Sequence, residues 1–98
     1  MQKKRDYETI FIVKPDLEKE DREQAIVVVK KIIEDNDGEI TEVNEWGMRK
    51  LAYEIDDYKS GYYTIIEFAA DNRLLDELEY EYRIMDNILR SLIVRKEK

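Results

Sequence analysis

The sequence contains no cysteine and no histidine. The absence of cysteine excludes disulfides, thiolate metal sites and cysteine nucleophiles, and it fits a reducing compartment. The absence of histidine excludes ordinary zinc and haem sites, histidine-dependent nucleophilic schemes and the side chain that usually titrates near neutral pH. We therefore expect no metal, no cofactor and no catalytic residues, so the chain is not predicted to be an enzyme.

Glycine is scarce, and long apolar runs are missing. Gly38, Gly47 and Gly61 stand far apart, so neither a phosphate-binding P-loop nor a dinucleotide fingerprint can be formed. The mainly apolar runs 25–29 and 62–66 are too short to cross a bilayer, and Asp6 and Glu8 lie where a signal peptide needs an apolar stretch. We expect a soluble cytoplasmic protein with no membrane partner and no small-molecule substrate.

Residue periodicity predicts six elements in the order β-α-β-β-α-β. Strands are expected over 7–13, 39–48, 62–70 and 88–94, where β-branched and aromatic residues are frequent. Helices are expected over 18–36 and from a cap at 71–72 to about 86–87, where apolar residues recur every three or four positions.

Three loop features accompany these elements. Asp37-Gly38 is predicted to end the first helix, with Gly38 in the left-handed conformation. Gly47 is expected to mark a β-bulge, and residues 56–61 are expected to form the turn of a hairpin.

This order predicts a ferredoxin-like α+β fold, in which right-handed crossovers place two helices on one face of a four-stranded antiparallel sheet. The length of 98 residues is enough for one core, and we expect a single domain over 1–98.

The formal net charge is -7, which argues against a generally basic nucleic-acid-binding surface. Basic residues nevertheless cluster at the two ends of the predicted sheet, so contact with RNA phosphates is possible only locally. One cluster contains Lys3, Lys4, Arg5, Arg95, Lys96 and Lys98. The other contains Arg49, Lys50, Lys59, Arg83 and Arg90.

The sheet face without helices is predicted to be partly apolar, because residues alternate between the two faces of a strand. Ile10, Ile12, Tyr63 and Ile65 fall on this face. Two interpretations remain open: these side chains contact solvent or a partner protein, or long neighbours such as lysines and tyrosines shield them.

Two other functions on this fold have little support from the residues. The aromatic signature of RNA-recognition domains is absent, and residues 59–63 match it only in part. The loop at 14–17 has neither the arginine nor the glycine-rich cradle that acylphosphatases use to bind phosphate.

The segment Gly47-Met48-Arg49-Lys50-Leu51-Ala52-Tyr53-Glu54-Ile55 resembles the signature of the bacterial small-subunit ribosomal protein six family. Further segments at 7–8, 14–17, 61–63 and 82–90 follow in the order and spacing of that family. The resemblance covers essentially the whole chain.

The resemblance implies a structural protein of the small ribosomal subunit. Such a protein binds the central domain of the small-subunit ribosomal RNA together with small-subunit ribosomal protein eighteen. The alternative is a non-catalytic regulatory or interaction module of the same fold that self-associates through its sheet.

The resemblance also implies which residues contact RNA. They are Arg5, Arg49, Lys50, Arg83 and Arg90. Lys3 and Lys4, which belong to the same basic cluster as Arg5, are also predicted to contact RNA. Arg90 could instead form an ion pair with an acid of the second helix. Asp56 departs from the family signature, which more often has a basic or small residue there.

Overall fold

The computed structural model describes residues 4–96, and its elements follow the predicted order. The strands are β1 (Arg5–Val13), β2 (Glu39–Ile55), β3 (Tyr58–Ala70) and β4 (Ile88–Arg95). The helices are α1 (Lys19–Asp35) and α2 (Arg73–Ile84). The four strands form one antiparallel sheet in the order β2-β3-β1-β4, which confirms the predicted ferredoxin-like fold.

One face of the sheet is covered by both helices. Tyr7, Phe11 and Val13 of β1 are buried on this face beside Ile66 and Phe68 of β3. The helices contribute the rest of the core through one side of each: Ala25, Ile26, Val29 and Ile33 of α1, and Leu74, Leu78 and Tyr82 of α2. The burial of this apolar surface is the main driving force for folding.

The end of α1 differs from the prediction in one residue. Asp37, not Gly38, has the positive φ, at 64°. The Gly38 amide donates to the Ile33 carbonyl at 2.8 Å and the Asp37 amide donates to the Glu34 carbonyl at 3.2 Å, which is the Schellman pattern. Gly38 is needed for a different reason: a Cβ there would lie 2.7 Å from the Ile33 carbonyl oxygen.

The hairpin between β2 and β3 is longer than predicted. Only Asp56 and Asp57 form the turn, with φ values of 49° and 69°. Two successive positive φ values are the pattern of a type I′ turn, and aspartate tolerates the left-handed region better than most residues. The expected turn at 56–61 was therefore too long, and the expected end of β2 at residue 48 was too early. Gly47 has a φ of 84° beside a shift in strand register, which confirms the predicted bulge.

Two buried threonines on the helix-covered face differ in their hydrogen bonding. The Thr9 hydroxyl donates to the Leu92 carbonyl at 3.2 Å, so the Tyr82 hydroxyl, 2.7 Å away, is the donor to Thr9. This chain of bonds links α2 to β1 and β4. The Thr64 hydroxyl is fully buried and has no hydrogen-bond partner.

We expect Thr64→Val to raise the free energy of unfolding by about 1 kcal/mol, because it removes an unsatisfied buried hydroxyl while nearly preserving shape. Thr9→Val is the matched control: it removes a bonded hydroxyl and should lower the free energy of unfolding by about 1 kcal/mol. Urea denaturation of both variants measures the difference. If both substitutions changed the free energy of unfolding by the same amount and in the same direction, the two hydroxyls would not differ in hydrogen bonding as described.

Tyr82→Phe should lower the free energy of unfolding at pH 7 by about 1 kcal/mol through loss of the bond to Thr9. Burial raises the pKa of the Tyr82 hydroxyl above its ordinary value. The unfolded chain therefore releases this proton first as pH rises, so the contribution of Tyr82 is complete below about pH 10 and declines above it. Denaturation of both proteins at pH 7 and above pH 10 should show the difference shrinking; a constant difference would contradict it.

Candidate functional site

Four of the predicted RNA-contacting side chains lie at one end of the sheet, which we call the arginine end. Arg49 and Lys50 lie on β2, Arg83 lies in the last turn of α2, and Arg90 lies on β4. All four are exposed, and within residues 4–96 none of them forms an ion pair with a carboxylate. Their charges are therefore available to an external anion.

Arg49 is held beside two aromatic rings on the sheet face that carries no helix, which we call the open face. Its guanidinium carbon lies 5.6 Å from the centre of the Trp46 ring. Trp46 stacks on Tyr63, with ring centres 6.4 Å apart and planes 20° apart. Cation–π contact of this kind restrains an arginine without neutralising its charge.

Arg90 reaches across the open face from β4 to β2. It donates to the Tyr53 hydroxyl at 3.0 Å, and its guanidinium carbon lies 5.6 Å from the centre of the Tyr53 ring. Because β1 and β3 separate these strands, the bridge passes above the sheet. The alternative prediction, an ion pair between Arg90 and an acid of α2, is wrong, because within residues 4–96 Arg90 forms no ion pair. Its hydrogen bond is to the uncharged Tyr53 hydroxyl.

Arg83 and Arg90 line one groove beside β4. The groove has a volume of about 470 Å³ and also includes Glu79 and Tyr82 of α2. Strand β4 is an edge of the sheet, so the groove runs along the outer strand. The two arginines are thus presented together along an accessible edge.

The basic residues at the opposite end of the sheet are partly neutralised. Tyr7 pairs with Arg95, which confirms that the start of β1 and the end of β4 lie together. Lys4 forms an ion pair with Glu39 at 3.0 Å, and Lys96 forms one with Glu67. Arg5 is exposed and has no ion pair within residues 4–96. Lys3 lies outside the described residues.

The hydrogen bond between Lys96 and Glu67 shifts the pKa of both groups. It holds the pKa of the Glu67 carboxyl below its ordinary value and raises the pKa of the Lys96 amine. Both groups are solvent-accessible, so the pair contributes little to stability.

The four residues predicted to form a partner face do lie on the open face, but two are shielded within the chain. Ile12 is 8% exposed and Ile65 is 6% exposed, whereas Ile10 and Tyr63 are half-buried. Ile12 of β1 pairs with Arg90 of β4. It also packs over Gly61, where an added Cβ would collide with the Cγ2 atom of Ile12. Ile12 thus lies between Tyr63 of β3 and Arg90 of β4 on the open face.

Other residues supply most of the apolar surface on the open face. Leu92, 57% exposed, pairs with Ile10, and Val94, 40% exposed, pairs with Glu8. Trp46 is 53% exposed. Alternation along β4 could have identified Leu92 and Val94, because they share a face with Arg90. No local pattern signals the contact between Tyr53 and Arg90, which are 37 positions apart.

Residues 4–96 contain no cluster of acidic side chains suited to a metal ion. In the same part of the chain, no helix has the length and apolar character needed to cross a membrane. The groups that the described surface presents are exposed cations, aromatic rings and apolar side chains.

Comparisons with known proteins point to one family. The family model described as ribosomal protein S6 matches residues 6–95. The small ribosomal subunit protein bS6 of Desulforudis audaxviator is 48% identical over 93 residues, covering 95% of this chain and 99% of that protein. The bS6 protein of Thermoanaerobacter pseudethanolicus is 47% identical over 94 residues, covering 96% and 99%.

A solved structure extends the similarity to three dimensions. The crystal structure of 30S ribosomal protein S6 from Thermotoga maritima matches with a TM-score of 0.92 at 44% identity, covering 96% of this chain and 89% of that one. Sequence and fold thus agree over nearly the whole length, and the resemblance drawn from the signature at 47–55 is confirmed. The chain belongs to the ribosomal protein S6 family.

Proposed function

We propose that this chain binds the central domain of the small-subunit ribosomal RNA together with small-subunit ribosomal protein eighteen. Membership of the S6 family makes it a protein of the small ribosomal subunit in the bacterial cytoplasm, and this family is structural rather than enzymatic. The observation that carries the RNA proposal is the group of exposed cations without ion pairs at the arginine end: Arg49, Lys50, Arg83 and Arg90.

These cations suit contact with phosphate because they are concentrated on a chain whose formal net charge is -7. An acidic protein gains no general attraction to RNA, so it must bind where positive charge is local. Phosphate contacts of this kind set position and orientation rather than reading base sequence. That role suits a structural component of a ribonucleoprotein.

Arg5 supports a second phosphate contact at the other end of β1. The eight residue steps from Arg5 to Val13 span about 27 Å at the usual strand rise. Two contacts so far apart would fix the orientation of the protein on RNA better than one cluster. Lys4 and Lys96 would have to give up their ion pairs to contribute.

The partner proposal is supported by the open face, which no helix covers and which exposes Leu92, Val94 and Trp46. Exposed apolar residues grouped on one face are typical of a protein interface. Self-association through the same face is the competing function, and it predicts no dependence on RNA or on protein eighteen.

The RNA proposal is tested by titrating a fragment of the central domain of the small-subunit ribosomal RNA with the chain and protein eighteen at several salt concentrations. Arg49→Gln and Arg83→Gln should each weaken binding by about three- to tenfold and make the salt slope shallower by about 0.7 to 0.9, because one phosphate contact is lost. Lys31→Gln, at an exposed position on α1, is the matched control. Loss of affinity equal to that of the control would contradict a role for the arginine end.

A second prediction concerns Arg90 and the residue that orients it. Arg90→Gln should weaken RNA binding as the other arginine variants do. Tyr53→Phe keeps the ring beside the guanidinium but removes the hydroxyl that accepts its hydrogen bond, so it should weaken binding by only about two- to threefold. An effect of Tyr53→Phe larger than that of Arg90→Gln would show that Tyr53 acts independently.

A further inference from the structure

The hairpin of β2 and β3 continues past the end of β1. The last pair between β1 and β3 joins Val13 to Tyr62, whereas β2 and β3 continue to pair as far as Ile55 and Tyr58. Residues 49–61 therefore form a two-stranded projection with no third strand of the described sheet beside it. We call this projection the arm.

The pairing within the arm is irregular. Strand register is continuous up to the pair of Lys50 with Ser60 and resumes at the pair of Ile55 with Tyr58, and β2 has three more residues than β3 between these two pairs. Such an irregularity disrupts the ladder of backbone hydrogen bonds, and an isolated two-stranded hairpin is only marginally stable in water. The orientation of the outer part of the arm therefore depends on contacts with other elements.

The base of the arm is fixed on the helix-covered side of the sheet. Tyr62 packs against the core, and the guanidinium carbon of Arg22 on α1 lies 4.4 Å from the centre of its ring. The Tyr62 hydroxyl donates to Oε1 of Glu45 at 2.9 Å. Tyr58 lies further out along β3, about 13 Å from Tyr62 at the usual strand rise, so these contacts do not reach the outer part of the arm.

A hydrogen bond ties the outer part of the arm to the connection between β1 and α1. The Tyr58 hydroxyl donates to Oδ2 of Asp16 at 3.1 Å, across 42 positions of the chain. This bond to the Asp16 carboxylate raises the pKa of the Tyr58 phenol above its ordinary value, so the donor keeps its proton at neutral pH. Within residues 4–96, the other side-chain hydrogen bond from the arm to a different element joins Tyr53 to Arg90.

Both bonds leave the positive charge of the arm free. The group on the arm is in each case an uncharged tyrosine hydroxyl, and within residues 4–96 Arg49, Lys50 and Lys59 form no ion pair. An ion pair would also hold the arm, but it would neutralise a charge that phosphate binding requires. The bond between Tyr58 and Asp16 includes no candidate RNA contact, so its role can be tested separately.

We propose that the hydrogen bond from Tyr58 to Asp16 positions the arm for RNA binding. Arg49 and Lys50 lie between the fixed base and this bond, so a contact at each end of that stretch restrains both cations. A protein already in its binding orientation loses less free energy on binding than one that must first be ordered. The inference rests on the proposed function and adds Tyr58 and Asp16 as positioning residues that do not touch the RNA.

The test titrates the fragment of ribosomal RNA with the chain and protein eighteen at several salt concentrations. Tyr58→Phe keeps the ring but removes the donor, so it should weaken binding about two- to fivefold. The salt slope should stay unchanged, because no cation is lost. Tyr80→Phe is the matched control, since it removes the same hydroxyl from a ring that is 57% exposed on α2, and it should leave the affinity unchanged.

Substitutions at Asp16 separate positioning from charge. Asp16→Ala removes the acceptor together with one negative charge, so charge alone predicts stronger RNA binding, whereas loss of positioning predicts weaker binding. Asp16→Asn makes the same change of charge but keeps an oxygen that accepts from Tyr58. We expect Asp16→Ala to bind RNA about two- to fivefold more weakly than Asp16→Asn. Equal affinities of the two Asp16 variants would overturn the inference.

The mobility of the free chain gives a readout that a general loss of stability does not move. NMR relaxation should show larger backbone motion at residues 49–61 in Tyr58→Phe than in the unmodified chain, with α1 and α2 unchanged. If the motion increases throughout the chain, or nowhere in it, Tyr58 does not position the arm and the inference is wrong.

The remaining outcomes separate this inference from the function on which it rests. If the unmodified chain and protein eighteen do not bind the RNA fragment, the proposed function and this inference both fail. If they bind it and Arg49→Gln weakens binding while Tyr58→Phe does not, the function stands and the inference is wrong. If Tyr58→Phe weakens binding but the two Asp16 variants bind alike, the Tyr58 hydroxyl contacts RNA itself, which also contradicts the inference.

Discussion

The position of β1 between β3 and β4 is the constraint on which the rest of the structure depends. Because β1 pairs on both sides, its alternation fixes which residues of three strands face the helices and which face outward. Tyr7, Phe11 and Val13 join the core, and Glu8, Ile10 and Ile12 are placed on the open face. A one-residue slip of this strand would exchange the two sets, so the core and the recognition surface are specified together.

The two faces have different physical roles. The helix-covered face buries enough apolar surface to stabilise the fold. It also buries the Thr64 hydroxyl, which has no hydrogen-bond partner. On the open face Ile12 and Ile65 are buried, while Leu92 and Val94 are exposed. A sheet with one solvent-facing side normally carries polar residues there. Contact with water therefore does not explain why Leu92 and Val94 are exposed on this side.

Positive and negative charges are also distributed unevenly over the molecule. The acidic body discourages indiscriminate contact with nucleic acid, whereas the arginine end concentrates cations that no carboxylate neutralises within residues 4–96. Arg90 belongs both to the arginine end and to the open face, where it pairs with Ile12 and is restrained by Tyr53. The proposed RNA contact and the proposed partner contact would therefore lie beside each other on one surface.

The sequence by itself determined the order of elements, the placement of Ile10, Ile12, Tyr63 and Ile65 on the face without helices, and the family, because periodicity, strand alternation and the signature at 47–55 are local patterns. Local patterns also placed basic residues at both ends of the sheet. They missed the two-residue turn at Asp56 and Asp57, since adjacent aspartates do not reveal that both adopt positive φ. Only the tertiary structure decided which cations are free, that Arg90 bonds Tyr53 rather than an acid of α2, and that Ile12 is covered while Leu92 is exposed. These outcomes depend on side chains from different strands meeting across the sheet, and the distances between such side chains are set by strand order and register rather than by neighbours in the chain.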